Sequence, residues 1–304
     1  MAANDRIAWV LNLDADVELA ASVSRASYAP TNAVRDAVRA MVPRVAPSLL
    51  GPEDLLVDES SAPHSARGLR GRAFCPTPRA LAALRRVGAE PEPHPTLDVL
   101  RAVNSRAFAS ALGSTLPSSA FVTDFDAACA MLEESPAIGD AWRVKRAFGM
   151  AGRGQRVIAP GRASTGDVGF LKASLVEGGV QIEPNVRIAR EYALHATLAA
   201  PDRDGVLEVG ALVAQRCDAR GVWLSTEPLP EPSEAELAIG GRLRDEVARV
   251  GAALSAVGYF GPFGIDAYLY RDNAGELALQ PRSEINARYS MGFGVGFAAA
   301  LRLL

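Results

Sequence analysis

The sequence predicts an α/β protein extended by α+β lobes, and three observations point there. The first ninety-odd residues alternate strand-like and helix-like runs, the pattern of a small parallel sheet. Ala89–Pro95, with three prolines in seven residues, then reads as a linker. Beyond it lie further groups of strands, interrupted by one long helical run, Glu234–Val257. At 304 residues the chain has room for two or three packed layers and for more than one lobe.

In the first unit Ile7–Leu13 is a buried strand interrupted by Asn12, and Ala33–Val42 is a helix. Asp54–Asp58 is a short strand after the Gly51–Pro52 turn, and Arg72–Cys75 is a third strand. Pro78–Val87 is a helix with proline at its start and Gly88 at its end. In the second unit Leu97–Leu112 has helical spacing and closes at Gly113. A strand at Ala120–Thr123, a helix at Phe125–Glu134 and a strand at Trp142–Arg146 follow. A glycine-rich loop, Gly149–Gly154, leads into the strand Gln155–Ile158, and Val168–Val176 is helix-like. The third unit starts around Val180, with strands at Val180–Glu183, Glu191–Ala199, Leu207–Gln215, Ile265–Tyr270 and Glu276–Leu279.

Composition narrows the function classes. Apolar residues make up 49 %, too high for disorder, and a net charge of −3 gives no electrostatic reason for a nucleic-acid or anionic-membrane partner. The N-terminal residues do not look like a signal peptide, and Phe293–Leu304 is too short to span a bilayer and carries Arg302. Cys75, Cys129 and Cys217 have no CxxC spacing and His64, His94 and His195 are dispersed, so no structural zinc site is expected. The chain reads as cytosolic and reduced.

Of 32 basic residues only Lys145 and Lys172 are lysines. Lys145 stands on the strand entering the loop Gly149–Gly154. Glycines let backbone N–H groups approach an anion closely. The loop is neither a P-loop nor a dinucleotide fingerprint, and alone it reads as a hairpin turn. A compact ammonium beside it suits a phosphate oxygen. A strand then ends in a linker carrying Glu183 and Val186, and the next opens at Glu191. Backbone groups there can meet an adenine edge, an apolar Val its face, and a carboxylate the ribose hydroxyls. Further on, Asp266 and Glu284 with Asn286 lie on adjacent strands, Glu284 and Asn286 on one face. Such oxygens suit Mg²⁺. The flanking Ile265, Ala267, Leu277, Leu279 and Ile285 argue that these strands are buried.

Taken together, residues 96–292 resemble the ATP-grasp superfamily. Asn104-Ser-Arg106 through Gly113 and Pro117 is similar to the family's opening helix, with Arg106 where a phosphate-contacting Lys is usual. Lys145 with Gly149, Gly152 and Gly154 resembles the lysine and flexible phosphate loop. Glu183 and Val186 resemble the adenine hinge and Glu191 the ribose acid. Asp266, Glu284 and Asn286 resemble the Mg²⁺ ligands, and Arg288 completes an E-x-N-x-R motif. The resemblance implies an ATP-grasp fold: a Rossmann-like pre-domain at 1–95, a small lobe at 96–180 and a large lobe at 181–304, the lobes clasping ATP. It implies ATP and Mg²⁺, small-molecule carboxylate and amine substrates, a homodimer, and an ADP-forming carboxylate–amine ligase acting through an acyl phosphate. The alternatives are a kinase of the same fold and a nucleotide-binding scaffold without turnover.

Two positions depart from the pattern. The segment Gly275–Glu284 is long by a few residues, so either the strand bulges or Gln280 takes the first ligand site. Gly264 stands two residues before Asp266, where some ligases carry an arginine; Arg282 and Arg288 are the candidates to supply that charge. Asp14, Asp16 and Glu18 read as the solvated start of a helix, with the lining of a substrate site as the alternative, His195 as a packed strand residue, Lys172 as a surface lysine, and Gly292, Gly294 and Gly296 as a turn.

Overall fold

The computed structural model describes residues 6–23, 27–149, 154–200, 206–218 and 221–300. Three sheets organise them. The first is parallel throughout, in the order β2-β1-β3-β4, from β1 (Ile7–Val10), β2 (Leu55–Leu56), β3 (Arg70–Ala73) and β4 (Glu90–Pro91). Helices α1 (Ala15–Val23), α2 (Asn32–Leu49) and α3 (Pro78–Arg86) accompany it. The segment expected to be a linker thus supplies a strand, β4. Helix α2 runs past its expected end because Pro43 and Pro47 are accommodated inside it.

The predicted helix 97–112 is two helices, α4 (Leu97–Asn104) and α5 (Arg106–Ala111). Ser105 between them has extended backbone (φ −77°, ψ 140°), and its hydroxyl accepts from Ala107 N–H. Asn104 and Ser105 offer the backbone alternatives to helical hydrogen bonds. The Asn104 amide donates to Ala287 O at 3.2 Å and accepts from Ala287 N at 3.0 Å. That pins the start of α5 beside the end of the strand β14 (Leu277–Asn286) in the third sheet.

The second sheet has the order β5-β8-β6-β7, from β5 (Ala120–Val122), β6 (Trp142–Arg146), β7 (Gln155–Ile158) and β8 (Val180–Pro184), with all pairs antiparallel. Strand β8, expected to open the third unit, pairs instead with β5 and β6. Helices α6 (Phe125–Glu133) and α7 (Thr165–Val176) accompany it, and Trp142, Val144, Ile158 and Ile182 are buried together with Ala128 and Leu132 of α6 and Leu171 of α7. Alternation turns Arg143 and Lys145 the other way.

The third sheet follows the path β12-β11-β9-β13-β14, with β10 also paired to β9. Its strands are β9 (Arg187–Leu198), β10 (Leu207–Val209), β11 (Val213–Cys217), β12 (Trp223–Pro228), β13 (Gly261–Arg271) and β14 (Leu277–Asn286). Helix α8 (Glu234–Ala256) opens with a reciprocal Ser233–Glu236 capping box. Its stripe Ile239, Leu243, Val247, Val250 and Leu254 is buried against Leu194, Ala196, Phe263 and Ile265. Glu191, His195, Gly264, Asp266, Glu284 and Asn286 therefore share the opposite face. Leu277, expected among the buried flanks, is 53 % exposed. A last helix, α9 (Phe293–Ala300), stands where a turn was expected. No helix among the described residues is long and apolar enough to cross a membrane.

Candidate active site

The second and third sheets face each other across a cleft of about 840 Å³. Of the residues singled out in the sequence, Arg106, Lys145, Gly149, Gly154, Glu183, Val186, Glu191, Asp266 and Glu284 all line it. Gly152 lies outside the described residues.

From the second sheet, Lys145 reaches Glu183 on the neighbouring strand at 2.6 Å, with the two side chains 13 % and 6 % exposed. Arg143, two residues earlier on the same face, donates to Gln155 Oε1 at 2.9 Å and to Asn185 Oδ1 at 2.7 Å. Val186 packs with Leu116, Tyr268 and Tyr270, and Val186 and Tyr268 line the cleft. Gly154, with φ +77°, takes a backbone conformation that glycine tolerates best as the chain returns to β7.

From the third sheet, Asp266 on β13 is paired with Glu284 on β14. Asp266 accepts from Gln215 Nε2 at 3.0 Å and from Asn286 Nδ2 at 2.9 Å. Burial pushes its carboxyl up to about 7, the charge of Glu284 adds to this, and the bonds from Asn286 and Gln215 oppose it. The question of register is answered by a bulge. Asp266 pairs with Glu284, whereas Tyr268, two residues on, pairs with Gln280, four residues back. Gln280 is buried at 3 % exposure and does not line the cleft.

Among the described residues no three His, Cys, Asp or Glu side chains cluster to hold a metal. The set here is two carboxylates and an amide. These hard oxygen donors fit Mg²⁺, and the upward shift of Asp266 marks electrostatic strain that a cation relieves.

Arg106 joins the two sides. It donates to Arg146 O at 2.8 Å and to Glu284 Oε1 at 2.8 Å, while its Nε is buried with no partner. The other two arginines expected at the chemistry are placed elsewhere. Arg282 is 4 % exposed and is bonded to Glu246 of α8 and to the carbonyls of Ala109 and Gly113. The bulge turns it away from the cleft. Arg288 binds Asp16 with both arms, Nε at 3.2 Å and the terminal nitrogen at 2.6 Å.

That pair overturns the expectation for the first helix. Asp14, Asp16 and Glu18 are not solvated but buried, at 2 %, 6 % and 7 % exposure. Arg79 pairs with Asp14 and Glu18, Tyr28 donates to Asp14 at 2.9 Å and Thr77 to Glu18 at 2.7 Å. Apart from Tyr28, 14 residues from Asp14, their partners lie about sixty to 270 residues away in sequence, beyond the reach of any local pattern.

Gly264 also has a structural reason. It is the cross-strand partner of His195, and a Cβ there would lie 2.8 Å from His195 Cδ2. The imidazole fills the place that an arginine side chain would need.

No family model matches the chain, and no curated protein matches it significantly in sequence. Solved structures do resemble it. The D-alanyl-alanine synthetase A of Vibrio cholerae O1 biovar eltor is similar over 99 % of this chain and 94 % of that one, with 11 % identity and a TM-score of 0.50. The N5-carboxyaminoimidazole synthetase of Staphylococcus aureus, solved with ADP, matches 93 % of this chain and 70 % of that one at 13 % identity and a TM-score of 0.47. The N5-carboxyaminoimidazole ribonucleotide synthetase of Thermus thermophilus matches 92 % and 71 % at 18 % identity, again with 0.47. The likeness to the Vibrio enzyme is one of architecture: the chain has the ATP-grasp fold.

Proposed function

We propose that the chain is an ATP-dependent carboxylate–amine ligase that releases ADP. The observation that carries this reading is the meeting, in one cleft of this fold, of Lys145 and Arg106 with Asp266 and Glu284, Asn286 being buried behind Asp266 and bonded to it. In this reading Lys145 and Arg106 meet triphosphate oxygens, and Gly149 and Gly154 line the same space. Val186 and Glu191 line the same cleft and would meet the base and ribose. Asp266, Glu284 and Asn286 would hold Mg²⁺, which when bound neutralises charge on a phosphoryl group in transfer.

In this reading the γ-phosphoryl passes to a substrate carboxylate; an amine attacks the resulting acyl phosphate, and an amide and inorganic phosphate leave. Arg106 lines the cleft and bonds the metal acid Glu284, so it is the residue of this chain that would steady the transferring group. Arg282 and Arg288 serve α8 and Asp16 instead. No side-chain nucleophile is required in this reading.

The test is release of ADP and phosphate from Mg-ATP across a matrix of amino acids, short peptides and small carboxylates. Phosphate formed in proportion to amide supports a ligase; ADP with a phosphorylated product and no free phosphate supports a kinase. One observation favours a second reading, a nucleotide-binding protein without turnover: both Arg282 and Arg288 are committed elsewhere, and Gly264 supplies no charge. Tight Mg-ATP binding with no product from any pair would establish it.

A further inference from the structure

We propose that Gln215 is a positioning residue for Asp266: its neutral amide holds the carboxylate in place in the cleft without neutralising it. The proposal rests on the nucleotide-and-metal reading above and adds to it a residue that sets how strongly the metal is held.

The placement follows from the third sheet. Gln215 lies on β11 and Asp266 on β13, with β9 between them. Neighbouring strands stand about 5 Å apart, so the link crosses roughly 10 Å of sheet. The residue of β9 that pairs with Asp266 is Ala193, whose single methyl leaves the lane open. Gln215 pairs with Glu191, two residues before Ala193, and so shares a face with Ala193 and Asp266. From there Gln215 Nε2 donates to Asp266 Oδ1 at 3.0 Å. Both residues line the cleft.

The two acids of the cleft are bonded differently. Glu284 accepts from the guanidinium of Arg106 at 2.8 Å, so a full positive charge already meets it. Asp266 accepts one amide N–H on each oxygen, from Gln215 on Oδ1 and from Asn286 on Oδ2 at 2.9 Å. Anchors on both oxygens fix the plane of the carboxylate. Each oxygen has two lone pairs and keeps one for a further partner. Neutral donors also leave the negative charge intact. A lysine or arginine at position 215 would offset that charge and compete with a bound cation for it. Loss of an outer partner of this kind typically lowers metal affinity roughly 10–100-fold.

The experiment uses the full chain and measures ATP affinity by calorimetry twice, with excess Mg²⁺ and with EDTA. The ratio of the two affinities is the coupling between metal and nucleotide. Gln215→Leu and Gln215→Met remove the donor and keep most of the bulk. In each the ratio should fall about tenfold or more, with the affinity in EDTA unchanged. Gln215→Lys puts a cation beside Asp266 and should lower the ratio further, while the affinity in EDTA holds or rises. Melting temperature shows which variants fold. The parent ratio in a folded Gln215→Leu or Gln215→Met protein, whichever of the two folds, would overturn the role. So would equal losses with and without Mg²⁺, which would make Gln215 a direct nucleotide contact, and so would the parent ratio in Gln215→Lys. A parent chain that binds no ATP, or binds it equally with Mg²⁺ and with EDTA, would instead remove the nucleotide-and-metal reading, and the role of Gln215 with it.

Discussion

His195 occupies the space directly over Gly264, its partner across the strands β9 and β13. Two further glycines close the socket: a Cβ on Gly292 would lie 3.2 Å from Cε1 of the ring, and one on Gly296 3.0 Å from Nδ1. An alanine at 264 must push the ring or the strand. Gly264→Ala should therefore destabilise the fold by about 1–3 kcal/mol, the usual cost of overpacking. His195→Ala should relieve most of that cost, so urea unfolding of the double variant should show strong coupling. Additive effects would mean that the ring and Gly264 do not share this space.

The same imidazole sets a pH dependence. Burial lowers the His195 pKa from 6.5 to about 4. The unfolded chain thus binds a proton between pH 6.5 and 4 that the folded chain does not. The resulting stability is present above pH 6.5 and is lost as pH falls through that window, by about 3 kcal/mol in all. His195→Gln should flatten the slope of unfolding free energy against pH between 4 and 6.5. An identical slope in that variant would assign the acid sensitivity to other groups.

Lys145 and Glu183 are a buried pair, so removing one partner strands the other. Lys145→Ala should destabilise the chain by about 3–5 kcal/mol. Lys145→Ala with Glu183→Gln should recover much of the stability and none of the affinity for Mg-tripolyphosphate, measured by calorimetry. Undiminished affinity in the double variant would remove Lys145 from the phosphate site.

Glu284→Gln keeps the acceptor for Arg106 and removes the charge beside Asp266. Thermal stability should hold or rise, because one of two repelling carboxylates has gone. Phosphate release with a working substrate pair should fall by orders of magnitude. A folded variant that turns over at the parent rate would move the metal site elsewhere.

Much of this cleft was legible because its residues lie on regular strands. Trp142–Arg146 and Gln155–Ile158 are observed with the expected bounds, so the facing of Lys145 could be read from alternation alone. What sequence could not carry is the choice of long-range partner. Arg282 and Arg288 look like catalytic cations in one dimension; only Glu246 and Asp16 show that they are otherwise engaged. The burial of Asp14 and Glu18 escaped for the same reason, since Arg79 neutralises them from another helix. The break at Ser105 was foreshadowed by the adjacent Asn and Ser, both poor helix formers and good caps. Strand β12 and helix α9 are short and glycine- or serine-bearing, with no periodicity to announce them.

The bulge in β14 has a consequence of parity. Between the pairs Asp266–Glu284 and Tyr268–Gln280, β13 advances two positions and β14 four, an excess of two. Side chains along a strand repeat every second residue, so an even excess leaves both flanks facing as they would in an unbroken ladder. Deleting one residue from Pro281–Ser283 would make the excess odd. Glu284 and Asn286 would then swing toward α8, and Ile285 would face the cleft. Deleting two would restore the facing and sacrifice the anchor that Arg282 makes with Glu246. The strand thus tolerates change here only in even steps.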